Sequence, residues 1–389
     1  MTSRISPFIA EGAEVPEGAT SPPCPAVPRA TTAGEARRDA AWDALVEDAP
    51  GGDLVQTTAW SSIRQRLGTR VCHLRVHAED GTLLGGCLIQ HRRVLPGIRI
   101  GAVPRGPLVF DARPGAAEQV VRETLAAARR LGIRLLVVQP PEGGAALDEA
   151  LGAAGFRVGA PAVVPTATLR LDLTRSEAEL FAGLNATRRR RVRQAQREGL
   201  ETVVSDDLEA FHRLHVASAT RQGFPPLSLQ NLEAQRDVLG PLGMSRMLIT
   251  RHDGVPVAGE WFTVFGGEWT SKLRGFDAAQ AALQAPNAST CAIWGSILEA
   301  RREGARRFDF GGFDRGSAQA LLAGRDPPPA FVDTPSHFKW SFGGEVVLLP
   351  PPRFILTSRV AHAVLAGLLQ RVLAGDAARR LAQTIRAAP

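Results

Sequence analysis

At 389 residues, with 44% hydrophobic and 22% charged residues, the chain has the composition of a folded, water-soluble protein of about two domains, which excludes a fibrous or wholly disordered chain. Forty-six Lys+Arg against 39 Asp+Glu leave a net charge of +7, which favours anionic partners such as nucleic acid, nucleotide-linked substrates or a membrane surface. Only Lys272 and Lys339 are lysines and tyrosine is absent, a bias of coding rather than of function that weakens the arginine excess as a sign of RNA binding.

Residues 1–34, rich in Pro, Ala, Gly and Thr and without periodicity, read as a disordered leader with no secretory signal. Structure is expected to begin with a helix, EARRDAAWDALVEDA, closed by Pro50-Gly51-Gly52. A second helix, AWSSIRQRLG, leads into the strand VCHLRVH, an Asp80-Gly81 turn and the strand TLLGGCLIQHRRV. GAAEQVVRETLAAARRLG reads as an amphipathic helix and IRLLVVQP as a buried strand. SEAELFAGLNATRRRRVRQAQREG reads as one Arg-rich helical pattern at the middle of the chain. From Arg353 onward the sequence reads as one or two amphipathic helices. These would pack on the protein or touch a membrane surface. No stretch reaches the roughly 18–20 apolar residues that span a bilayer. Cys24, Cys72, Cys87 and Cys291 are scattered without CxxC spacing, as fits a reducing cytoplasm without disulfides or structural zinc.

The second half repeats the first. MLITRHDGVPVAGEWFTVFG places a strand, an Asp253-Gly254 turn and a strand 173 residues after Asp80-Gly81, and a glycine follows six residues after each Asp, at Gly86 and Gly259. ARRLGIRLLVV from Ala128 matches ARREGARRFDF from Ala300 at an offset of 172. Order and spacing together indicate a duplicated α/β unit. The expected division is a leader (1–34), a first domain (35–165), a second, catalytic domain (166–352) and a helical tail (353–389).

The chain lacks a Walker loop, GxGxxG, HExxH and GxSxG, and no cofactor or metal is expected. His212 and His215, spaced i, i+3, read as helix surface. A pyrophosphate loop of the Q/RxxGxG/A kind used for coenzyme A is approached only at Gln196–Glu201, which lacks the last small residue. What stands out is FDFGGFD at 308–314, followed by HFKWSFGGEVV at 337–347. Gly311 and Gly312 allow close backbone approach to a ligand. Lys339, between Phe338 and Trp340, is expected to have a buried stem and a directed ammonium able to meet an oxyanion.

GGDLVQTTAWSSIRQRLG, LNATRRRRVRQAQREG, RHDGVPVAGEWF, PNASTCAIWGSILEARREGARRFDFGG and HFKWSFGG together resemble the FemABX family, in order from about residue 40 to 350. These are aminoacyl-tRNA-dependent transferases that build peptidoglycan interpeptide bridges. The resemblance implies an α/β fold of two tandem GNAT-like domains. It also implies a catalytic role for Lys339 with Phe338 beside it, and a first-domain motif at Gln56 and Trp60. Arg64 stands where members that bind muropeptide precursors carry a lysine. Arg221 and Arg274 are further candidates for anionic substrate, and Arg188, Arg189, Arg190 and Arg191 for the tRNA backbone.

The reading is a cytoplasmic aminoacyltransferase moving an amino acid from aminoacyl-tRNA to an amine, on lipid II, a UDP-MurNAc-peptide or a small molecule. Two alternatives stand beside it: an acetyl-CoA or acyl-CoA N-acyltransferase, and a non-catalytic RNA- or glycan-binding protein. The oligomeric state is left open.

Overall fold

Asp39 caps the first helix, α1 (Ala40–Asp48), by accepting from the Trp42 N–H, and Thr57 caps α2 (Thr58–Arg66) in the same way through Trp60. The computed structural model describes residues 38–95, 98–277 and 285–357, so the expected leader and nearly all of the expected tail lie outside the described residues. After α2 come β1 (Arg70–His77), β2 (Leu83–Leu95), β3 (Ile98–Pro104), β4 (Leu108–Val109), α3 (Ala116–Arg130), β5 (Ile133–Gln139), α4 (Ala145–Ala153) and β6 (Arg157–Val158).

The second unit holds β7 (Ala167–Asp172), α5 (Glu177–Gly183), α6 (Ala186–Arg197), β8 (Glu201–Val204), α7 (Leu208–Gln222) and α8 (Leu229–Leu239). It continues with β9 (Ser245–His252), β10 (Val255–Phe265), β11 (Glu268–Phe276), α9 (Ala288–Arg302), β12 (Arg307–Asp309), α10 (Arg315–Leu322), α11 (Pro335–Trp340) and β13 (Glu345–Leu348). A last strand, β14 (Arg353–Leu356), returns to the first unit.

There are two sheets among the described residues, ordered β1-β2-β3-β5-β14-β6 with β4 on β2, and β13-β7-β12-β11-β10-β9-β8. The duplication is visible in them. Each has an antiparallel pair across an Asp-Gly turn, β1/β2 and β9/β10, then a parallel pair joined by a helix, β3/β5 around α3 and β11/β12 around α9. At both repeated glycines there is no room for a side chain, but the nearest obstacle differs. A Cβ on Gly86 would lie 2.1 Å from the Leu74 carbonyl oxygen and 3.1 Å from the Trp42 ring, whereas one on Gly259 would lie 2.8 Å from the Phe211 ring.

The second core is built on Phe262, Trp269, Phe308, Phe310 and Phe342, all nearly inaccessible to solvent. Burying each such ring contributes on the order of 2–3 kcal/mol, so this core is what fixes the strands beneath the site. A smaller cluster joins the two units, with Leu54, Ala59 and Ile63 packed with Leu239 and Met244.

Three expectations are corrected. The Arg-rich segment is two helices, because Leu184 is extended and Asn185 caps α6 by accepting from the Arg188 N–H. Residues 353–356 are a strand rather than the start of a helix, paired to β5 and β6, where Phe354 and Leu356 join the apolar cluster of Ile100, Leu135 and Val137. His215 is buried against Phe211 rather than lying on the helix surface.

Candidate active site

β11 and β12 pair in parallel over only three positions, ending at Thr270 and Asp309. Beyond these the ladder between them ends. β11 also carries an irregularity against β10, where Trp261 faces Leu273 but Phe262 faces Ser271, leaving Lys272 as the extra residue. The chain leaving β12 turns at Gly311 with φ 64°, and a Cβ there would stand 2.2 Å from the Ser271 carbonyl oxygen. Only glycine fits this approach.

Asp309 holds the turn in place. Its carboxylate is 4% exposed and accepts from the Gly311 N–H at 2.7 Å, from the Thr168 hydroxyl and from Arg170 Nε at 3.2 Å. Arg170 also reaches Glu142 of the first unit at 2.7 Å, so the turn is tied across the two domains.

Lys339 enters from α11. Thr334 caps that helix by accepting from the His337 N–H, and Pro335 opens its first turn. The Lys339 ammonium donates to the Gly312 carbonyl at 2.5 Å and to the Gly311 carbonyl. Its stem is enclosed, and burial first, then the nearby Arg274, push its pKa down to about 7, while Asp309 and Glu260 act in the opposite sense.

Arg274 on β11 lies across from Glu260 on β10, with Nε donating to the carboxylate at 3.1 Å. Among the described residues its buried Nη2 has no hydrogen-bond partner. Its backbone carbonyl is 3.2 Å from His215 Nδ1, and the Leu227 N–H donates to His215 Nε2 at 3.2 Å, so the neutral ring carries its proton on Nδ1 and donates it to Arg274. Arg221, exposed on α7, has its guanidinium 6.0 Å from the Phe276 ring, near the same end of β11.

Phe338 is half-buried, and beneath it lies Arg188. This guanidinium is 4.2 Å from the Phe338 ring centroid, and it donates to Ser341 Oγ at 2.6 Å and to Thr290 Oγ1 at 3.0 Å. Arg188 is thereby enclosed and has no face for nucleic acid, which corrects its assignment to tRNA. Arg189 donates to the Ala182 and Leu184 carbonyls at the end of α5, while Arg190 and Arg191 are exposed.

The structure brings together Lys339, Phe338, Gly311, Gly312 and Arg274. It does not bring Gln56 to them. That side chain is fully enclosed, donating to the Pro104 carbonyl at 2.6 Å and accepting from the Leu88 N–H at 2.8 Å, so it braces β2 and β3 and does not contact substrate. Trp60 packs in the cluster between α2 and α8. Arg64 is enclosed in the first unit, where burial and then Arg92 lower its pKa to about 10. Glu260, Ser271 and Asp309 were not singled out from sequence. The available signal was a charged residue inside each of two apolar strands, AGEWF and FDF.

Residues 185–319 match the family model described as an acetyltransferase (GNAT) domain. The solved structure of FemX superimposes with a TM-score of 0.67 at 17% identity, covering 84% of this chain and 98% of that one. The chain therefore has the fold of FemX, two GNAT-like α/β units in tandem. L-PGS from Bacillus licheniformis shares the fold at TM-score 0.50 and 16% identity, over 88% of this chain and 99% of that one. Lipid II:glycine glycyltransferase from Staphylococcus haemolyticus is 24% identical over 229 residues, 55% of this chain and 54% of that protein. The match thus spans about half the length of that relative. Among the described residues no helix is long and apolar enough to cross a membrane.

Proposed function

We propose that the chain is an aminoacyltransferase that moves an amino acid from aminoacyl-tRNA to an amine of a peptidoglycan precursor. The observation that carries this is the Lys339 ammonium, tied to the Gly311 and Gly312 carbonyls just past the end of the β11/β12 ladder. The amine attacks the ester carbonyl, Lys339 meets the charge developing on the carbonyl oxygen, and the tRNA 3′ hydroxyl leaves. Aminolysis of an ester is downhill and needs positioning and charge stabilisation rather than a triad. The similarity to FemX and to a lipid II:glycine glycyltransferase supports the acceptor class.

In this reading the second domain carries the chemistry. Arg221 attends the anionic substrate, and exposed Arg190 and Arg191 meet the tRNA backbone. The protein works in the cytoplasm, where charged tRNA is found.

The second reading, an acyl-CoA N-acyltransferase, is favoured by the match of residues 185–319 to an acetyltransferase domain. Against it, the pyrophosphate loop of the Q/RxxGxG/A kind is approached only at Gln196–Glu201, which lacks the last small residue. Purified protein is incubated with a mixed pool of charged tRNAs, then with acetyl-CoA, with and without a peptidoglycan-precursor extract. Acceptor-dependent loss of one aminoacyl-tRNA, abolished in Lys339→Ala, is the expected result. Consumption of acetyl-CoA with every tRNA left intact would sink the proposal.

A further inference from the structure

A buried carboxylate stands behind the two cations of the site. Glu260 is 4% exposed, lies opposite Arg274 in the β10/β11 register, and accepts from Arg274 Nε at 3.1 Å and from Ser271 Oγ at 3.3 Å. Ser271 in turn presses its carbonyl on Gly311, whose own carbonyl takes the Lys339 ammonium. Glu260, Arg274, Ser271, Gly311 and Lys339 are therefore one contiguous cluster.

Two cations confined to one enclosed place repel each other, and a buried charge needs compensation. The charged groups that act on Lys339 are Arg274 with the same sign, and Asp309 and Glu260 with the opposite one. Asp309 is already engaged by Thr168, Arg170 and the Gly311 N–H. Glu260 is engaged by Arg274 itself, so a single carboxylate bears on both cations.

We propose that Glu260 is a positioning residue, the counter-charge that keeps Arg274 and Lys339 side by side so that Arg274 Nη2 and the Lys339 ammonium form a two-cation receptor for a tetrahedral oxyanion. The open valence of Arg274 Nη2 supplies the second donor. The receptor rests on the aminoacyl-transfer reading only for the identity of its oxyanion. The counter-charge role of Glu260 does not depend on it.

The sequence offers a direct test, because Lys272 and Lys339 are the chain's only lysines. The full chain labelled with 13C,15N-lysine gives two side-chain signals, one from the exposed Lys272 and one from Lys339. Each is titrated in the wild type, Glu260→Gln, Glu260→Asp and Arg274→Met. Removing the carboxylate is expected to move the Lys339 midpoint down by about one unit, a tenfold change in proton affinity, with Lys272 unmoved. Glu260→Asp stays close to the wild type, and Arg274→Met moves the midpoint up. Inorganic phosphate, as a tetrahedral anion, raises the wild-type midpoint and fails to do so in Arg274→Met.

A folded Glu260→Gln protein whose Lys339 midpoint equals the wild type's overturns the counter-charge role. If that variant does not fold, an unmoved midpoint in Arg274→Met overturns it instead. Phosphate without effect on the wild type overturns the receptor. If these shifts appear but no charged tRNA is consumed, the cluster stands and the transfer reading falls.

Discussion

The guanidinium of Arg188 lies 4.2 Å from the centre of the Phe338 ring and is satisfied by two hydroxyls, Ser341 and Thr290, rather than by a carboxylate. Ser341 donates onward to the Phe338 carbonyl at 2.6 Å, and its own carbonyl accepts from the Asn185 N–H. Helix α6 thus grips the end of the short helix that carries Lys339. Burial first, then Arg191, hold the Arg188 pKa down to about 10.

Arg188→Met keeps the stem and removes the two hydrogen bonds and the stacking on the ring. It is expected to cost about 2–3 kcal/mol of stability, as for charged hydrogen bonds removed from an interior. It should also lower kcat more than it raises KM, because Lys339 is released from its direction. Arg188→Lys keeps the charge but not the fork and should recover stability only in part. Thermal melts and steady-state kinetics of the two variants check this, and a Met variant with unchanged kcat would show that the grip is dispensable.

Gly311→Ala tests the turn. The new methyl meets the Ser271 carbonyl at 2.2 Å, and φ 64° adds about 1 kcal/mol of backbone strain. The turn must move, and with it the acceptors of the Lys339 ammonium. Activity is expected to fall at least tenfold while the chain stays folded. Gly312→Ala, with nothing nearer than Pro165 at 3.6 Å, is expected to be mild. Equal effects from the two substitutions would contradict the close approach at Gly311.

The duplicated framework was legible in the sequence because strand alternation and Asp-Gly turns are local signals. The glycine spacing added to them, since neither position has room for a side chain, Gly86 against the Leu74 carbonyl and Gly259 against the Phe211 ring. Lys339 was legible because it is a rare residue type here between two aromatics. What was not legible depends on long-range closure. Arg188 looks like its neighbours Arg190 and Arg191 in sequence, and only the position of Phe338, 150 residues on, separates a buried guanidinium from two exposed ones. Gln56 matched a motif, yet its amide is consumed by the Pro104 and Leu88 backbone. Residues 353–356 have an apolar pattern too short to decide between helix and strand, and the gap between β5 and β6 decides it.

The exposed arginines give a prediction of a different kind. Arg190→Ala with Arg191→Ala should weaken tRNA binding uniformly across sequences and reduce the dependence of log K on log salt by about 0.7–0.9 for each phosphate that is no longer neutralised. Arg188→Met should leave that slope unchanged. Binding isotherms between low and moderate salt separate the two. An unchanged slope in the double variant would remove this face from the tRNA interface.

β14 ties the domains together. Its strand pairs with β5 and β6 of the first sheet, and Arg353 donates twice to Asp148 of α4 at 2.6 Å. The chain must therefore finish the second domain before the first sheet is complete. Truncation after residue 352 should expose Leu135 and Val137 and destabilise the first domain, with unfolding no longer a single transition. Arg353→Ala is expected to cost about 1–2 kcal/mol, since the pair is bidentate but its carboxylate is partly open to solvent. A truncated chain that melts as the full chain does would show that β14 adds nothing to the first core.

Lys339 links activity and stability with opposite signs. Burial and Arg274 lower its pKa from 10.5 to about 7, so between these values the unfolded chain holds a proton there that the native chain does not. Stability contributed by this group therefore rises with pH from about 7 towards 10.5, and the penalty of burying the ammonium is fully present below 7. Lys339→Met has no such penalty. The difference in melting temperature, variant minus wild type, should be largest near pH 6 and shrink as the pH is raised to 9. In the proposed mechanism the ammonium is the active form, so kcat/KM of the wild type should fall about tenfold per pH unit above 7. Melts across this range and a pH–rate profile check both signs. If the melting difference does not change between pH 6 and 9, the ammonium is not held in an enclosed site, and the alkaline limb of the rate profile must come from another group.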